Sequence, residues 1–126
     1  MKFLESKEIS VEKGNVKAIF KPVTPLNQAA LLGYQVDMQN AVKADDTARL
    51  VKVKMECVFY TLKNMINRLE VEGGLHDPVM VANLADVSDM ETIETLNIIF
   101  DLTVGLLVEG ETKKKSSSPR KSTKKE

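Results

Sequence analysis

The stretch DTARLVKVKMECVFYTLKNMINRL, Asp46 to Leu69, decides how this chain is read. Within it Ala48, Val51, Met55, Val58, Leu62, Met65 and Leu69 follow one another at steps of three and four, and 3.6 residues per turn stack such positions into one apolar stripe. Phe59 and Ile66 widen the stripe, while Lys52, Glu56, Lys63 and Asn67 lie off its centre. The spacing predicts a long amphipathic helix over the whole stretch. Such a helix draws most of its stability from packing, so the neighbouring elements must cover its broad apolar face.

On the N-terminal side, Ile9 and Val11 alternate with polar residues, Lys13-Gly14-Asn15 supplies turn chemistry, and Val16, Ala18 and Phe20 alternate again. This is the pattern of a β-hairpin, with Gly14 and Asn15 as the residue types that accept positive φ. Pro22 has no amide hydrogen for a sheet and ends the second strand. Thr24-Pro25 then starts a helix: the hydroxyl caps, and proline at the first helical position loses no hydrogen bond. This first helix runs to about Val42. Its expected packing stripe is Leu26, Ala29, Leu32 and Val36, with Gly33 weakening it and the small side chains allowing close approach. Lys43 to Asp45 joins it to the central helix, capped by Asp45 or Asp46.

On the C-terminal side, Gly73 and Gly74 end the central helix or a short extended piece after it, and a loop follows. Asp77-Pro78 starts a short helix reaching Ala85, with Val79, Ala82 and Ala85 or Asp86 marking its faces, and Ser88 to Glu91 forms a capping box. The last helix spans about Asp89 to Val108. Ile93, Leu96, Phe100 and Leu107 recur at helical spacing, and Ile99, Leu102, Val104 and Leu106 make the second half apolar nearly all round; that half is either deeply buried or kept for a partner, a second copy included. From Glu109 onward no apolar residue offsets chain entropy, which predicts a disordered Lys/Ser-rich tail over residues 109–126. The expected fold is α+β, mainly α: one domain over residues 1–108, with an N-terminal β-hairpin followed by about four helices.

At 126 residues with 43% hydrophobic and 29% charged side chains, the chain suits one soluble domain, and its longest apolar run, Leu96 to Val108, is too short for a bilayer and contains Asp101. No secretory signal stands at the N-terminus, so the expected location is the cytoplasm. The zero net charge divides into 11 basic and 15 acidic residues over 1–108 against 7 basic and 3 acidic over 109–126, so the body is a poor nucleic-acid surface. Cys57 in the central stretch reads as a small buried side chain, and the single histidine, His76, falls in the loop. No metal-ligand spacing, phosphate-binding glycine loop or nucleophile motif is present, so no cofactor and no enzymatic activity are expected. The tail has three readings: a solubilising appendage, a contact for nucleic acid or acidic protein, or a message in which Lys113, Lys114 and Lys115 are encoded by a run of adenines where a ribosome slips.

The layout as a whole resembles the tail assembly chaperones of long-tailed bacteriophages and prophages. The resemblance rests on the hairpin ending in Phe20-Lys21-Pro22-Val23-Thr24, the helices around the central stretch, Asp77-Pro78 before a segment capped by Ser88, the final helix, and Glu111-Thr112-Lys113-Lys114-Lys115-Ser116. It implies a non-enzymatic protein that binds the helical tape-measure protein, keeps it soluble in the host cytoplasm and recruits tail tube protein. It also implies a minor longer product made by frameshifting near the lysine run. A groove for apolar helices suits flexible, polarizable methionines, and Met55, Met65, Met80 and Met90 are available, the first two read as core residues. The candidate partner contacts are Met80, Met90, Phe100, Leu106 and Leu107, and the candidate tail contacts are Lys113, Lys114, Lys115, Arg120 and Lys121. The competing expectation is a small regulatory adaptor whose basic tail touches nucleic acid.

Overall fold

The chain is described from a computed structural model, which gives the backbone of residues 1–116 and the side chains of residues 1–106. In chain order its elements are β1 (Ile9–Lys13), β2 (Val16–Phe20), α1 (Pro25–Lys43), α2 (Thr47–Asn64), β3 (Ile66–Val71), β4 (Gly74–His76), α3 (Pro78–Leu84) and α4 (Met90–Ser116). The fold is α+β and mainly α, with an N-terminal hairpin and four helices, as the sequence predicts. The sheet is larger than expected: four antiparallel strands in the order β1-β2-β3-β4, with the α1–α2 hairpin inserted between β2 and β3.

The largest departure from the sequence expectation lies in Asp46 to Leu69. The helix that the spacing predicts there ends at Asn64, and residues from Ile66 onward form β3, paired antiparallel to β2. A β-bulge gives this strand its helix-like spacing. Arg68 pairs with Ile19 and Ile66 with Phe20, so Asn67 is an extra residue on β3. The bulge turns the two-residue period of a strand into a three-residue step, and Ile66 and Leu69 both point inward and are buried. A bulged strand thereby imitates helical spacing. The pairing begins just before β3, where the Lys21 amide donates to the Met65 carbonyl at 2.8 Å.

The second hairpin, β3–β4, stands where the sequence predicts a helix end and a loop. Its two turn residues, Glu72 and Gly73, both have positive φ, 52° and 81°, the pattern of a type I′ turn between Val71 and Gly74. In the first hairpin Gly14 alone does so, at 59°, and Asn15 does not. The two turns are tied together: the Glu72 amide donates to the Asn15 carbonyl at 2.9 Å and the Asn15 amide group to the Glu72 carboxylate at 3.2 Å.

Helix starts follow cap chemistry. Thr24 Oγ1 accepts from the Asn27 amide with Pro25 at the first turn, Asp46 Oδ1 accepts from the Arg49 amide, and Asp77 Oδ1 accepts from the Val79 amide. For α4 the cap is Asp89, whose carboxylate accepts from both the amide and the hydroxyl of Thr92. Ser88 is not the cap; its amide and hydroxyl both donate to Asp86 in the preceding turn. α4 continues past Val108 to Ser116, through Gly105 and Gly110, and no proline interrupts it before Pro119. Residues 117–126 of the expected tail lie outside the described residues.

The core sits between the sheet and the helices. Val16, Ala18 and Phe20 of β2 and Leu69 of β3 meet Val58 and Leu62 of α2 and Leu96 and Ile99 of α4 in one buried cluster. The buried face of α2 is rotated from the expected stripe: Val53, Cys57, Val58, Thr61 and Leu62 are buried, whereas Ala48 and Val51 are exposed and Met55 is half-buried. The rotation follows from packing on three sides, against α1, α3 and α4. α1 is turned further. Leu31 and Ala41 are its buried residues, and the stripe expected to pack, Leu26, Ala29, Leu32 and Val36, faces outward. Tyr34 and Tyr60 fix this orientation, their rings 5.8 Å apart and tilted by 60°, with the Tyr60 hydroxyl donating to Asn27 Oδ1 at 2.6 Å.

Candidate functional site

Between Leu75 and Met90 the chain exposes six large apolar side chains: Leu75, Val79, Met80, Leu84, Val87 and Met90. The local sequence explains why. α3 has only seven residues, and Val79, Met80, Val81, Ala82 and Leu84 place apolar groups on all its sides. A helix this short buries one side: Pro78 is buried, and Val81 and Ala82 are half-buried against α2 and β3. The opposite side keeps Met80 at 55% exposure and Leu84 at 72%. The turn held by Asp86 and Ser88 then carries Val87 outward and delivers Met90, 70% exposed, at the first turn of α4. Exposed apolar groups gathered on one segment, two of them flexible thioethers, form a surface able to adapt to an apolar partner.

The other candidate residues fare differently. Phe100 is half-buried, and the Lys54 ammonium lies 4.8 Å from its ring centroid, so its face is occupied within the chain. Leu106 is buried with Leu96, Ile99 and Leu102 in the core, which removes it as a partner contact: this face of α4 lies on β1 and β2. Leu107, Lys113, Lys114 and Lys115 lie on the α4 backbone beyond the last described side chain, and Arg120 and Lys121 lie outside the described residues. Met65 is buried and Met55 half-buried, so both belong to the core as read. Leu75, Val79, Leu84 and Val87 are exposed as well, beyond the candidate list. For Val79 and Leu84 the signal is that a seven-residue helix with apolar residues on every side must expose some of them; Leu75 and Val87 carry no such signal.

Burial pushes the Cys57 thiol up to about 11, against a smaller opposing effect from Thr61, so no thiolate forms at neutral pH. His76 lies exposed on β4. Among the described residues no group of three or more His, Cys, Asp or Glu is placed to hold a metal ion, and no helix is long and apolar enough to cross a membrane. The open cleft beside the hairpin turns and α4 is lined by Glu72, Glu91 and Glu94, which repels phosphate. Lys13 and Asp101 pair at 2.6 Å beside a second shallow cleft between β1 and α4. The chain matches no protein-family model, no curated protein and no solved structure.

Proposed function

We propose that this chain is a non-enzymatic tail assembly chaperone that binds and solubilises the helical tape-measure protein of a long-tailed phage and assists assembly of the tail tube. The observation that carries the reading is the exposed apolar segment from Leu75 to Met90, with Met80 and Met90 at its centre and edge. An amphipathic client helix has an apolar face that must be covered before the tube forms around it, and a methionine-bearing surface adapts to many such faces. The resemblance of the sequence to tail assembly chaperones, in its hairpin, its Asp77-Pro78 segment and its lysine run, points the same way.

The test is coexpression with a tape-measure protein. The full chain keeps the client in the soluble fraction, and removal of residues 113–126 leaves that activity intact. A double substitution of Met80→Glu and Met90→Glu, at two exposed positions, lowers soluble client about tenfold while the variant's own circular dichroism is unchanged. Loss of all client binding on truncation of the tail would overturn the reading. It would favour the nucleic-acid adaptor, whose affinity for duplex DNA falls steeply with added salt.

A further inference from the structure

Charge divides this chain into two blocks. Residues 1–68 carry 11 basic and 7 acidic side chains, whereas residues 69–108 carry 8 acidic side chains and neither lysine nor arginine. The exposed apolar segment from Leu75 to Met90 falls inside the acidic block, with Asp77, Asp86 and Asp89 within it and Glu72, Glu91 and Glu94 beyond its ends. We propose that the partner helix of this segment is basic: its apolar side lies on Met80, Leu84 and Met90, and the lysines or arginines bordering that side enter the cleft lined by Glu72, Glu91 and Glu94. That the partner is a helix rests on the function proposed above; its charge is inferred here.

Two observations choose a basic partner. The first is that the fold gathers acidic groups where the apolar groups end. Glu72 sits in the β3–β4 turn, just before Leu75 on β4, and Glu91 and Glu94 stand on the first turns of α4; the three line one cleft. Met90 and Glu94 are four residues apart on α4 and are neighbours on one side of the helix, so a partner seated on Met90 reaches the cleft. Among the described residues no lysine or arginine pairs with Glu72, Glu91 or Glu94, and the Glu72 carboxylate takes the neutral amide group of Asn15 instead.

The second observation is that the helix ends do not neutralise this charge. Asp77 caps α3, Asp89 caps α4 and Asp86 accepts from Ser88, whose hydrogen bonds hold the Asp86 carboxyl below its ordinary value and so keep it ionised. A helix N-terminus supplies about half a positive charge, so the two in this region offset about one of the six acidic groups. The same charge decides against other occupants. A second copy docked through this segment would set acidic borders against each other, and anionic lipid or nucleic acid meets the same repulsion. The chain's own basic tail offers lysines but, from Glu109 onward, no large apolar side chain to cover Met80 or Leu84.

Fluorescence anisotropy of the full chain with two synthetic amphipathic peptides of about 18 residues tests the proposal. Both peptides carry the same leucine side; lysines border it in one and glutamates in the other. The lysine peptide binds about tenfold tighter at low ionic strength, and the gap closes to about twofold near ~0.5 M salt. Glu91→Lys with Glu94→Lys reverses the preference and Glu91→Gln with Glu94→Gln removes most of it, each pair keeping the circular dichroism of the wild type. Met80→Ser with Leu84→Ser weakens both peptides about tenfold. Equal affinity for the two peptides, with both lost in the serine variant, would overturn the basic partner and leave the apolar client segment standing. Binding of neither peptide, or binding indifferent to the serine substitutions, would overturn both. Removing residues 113–126 leaves the lysine peptide's affinity unchanged; a gain of about tenfold would assign the acidic cleft to the chain's own tail and overturn the proposal. A wild-type chain that sediments as a dimer, with the serine variant monomeric, would overturn it in favour of a second copy.

Discussion

Cys57 concentrates the residue-scale consequences of the fold. It is 4% exposed, and burial holds its thiol at about 11 against an ordinary value of 9.0. A raised value means that the folded chain keeps its proton longer than the unfolded chain does. Below pH 9 both states are protonated and the stability is fully present; as pH rises from about 9 towards 11 the unfolded thiol ionises first and stability falls, by up to about 2–3 kcal/mol. Urea unfolding of wild type and Cys57→Ala across this range isolates the effect, because the variant loses the thiol's share of the decline. The same burial predicts that a thiol reagent at pH 8 labels Cys57 only after denaturant is added. A second residue-scale test concerns the α1–α2 contact. Tyr60→Phe leaves Asn27 Oδ1 without its donor in a half-buried site and costs about 0.5–1.5 kcal/mol in chemical denaturation.

At the scale of elements, the sequence made the helix starts legible because caps are local. Thr24-Pro25, Asp46 and Asp77-Pro78 act where their residue types place them. The same local chemistry misled at Ser88, where Asp86 two residues earlier competes for the serine and Asp89 takes over as cap. Two further features were illegible for physical reasons. An extra residue at Asn67 gives β3 a helix-like step between Ile66 and Leu69, and only pairing with Phe20 and Ile19 reveals a strand. Apolar residues on both faces of α1 offered two stripes, and the longer one faces outward because Tyr34, Leu31 and Asn27 engage α2. Two glycines separate these assignments experimentally. Gly73 sits at φ 81°, with nothing near a Cβ, so Gly73→Ala costs about 1–2 kcal/mol through the left-handed backbone alone. Gly33 lies in the α1 helix with open space around it, so Gly33→Ala stabilises by about 0.5–1 kcal/mol. Thermal melts at low concentration read both, and a stabilising Gly73→Ala would mean that the helix runs on through β3.

At the scale of the molecule, the chain builds one core from a sheet and helices, and among the described residues two groups of large apolar side chains stay outside it. One is the outer face of α1 and the other is the segment from Leu75 to Met90. The candidate site was half legible in the sequence: Met80 and Met90 stood out by residue type, whereas Phe100 and Leu106 look equally apolar and are taken up by Lys54 and by the core. Periodicity cannot tell which side of a helix an unseen sheet will cover. The central claim is that the Leu75–Met90 segment holds an apolar helical client. Site-specific crosslinking tests it most directly, with a photo-reactive residue placed at Leu84 on the exposed side of α3 or at Lys52 on the exposed side of α2. In the presence of a coexpressed tape-measure protein, position 84 captures the client and position 52 does not. Equal capture at both positions, or none at position 84, would contradict the account.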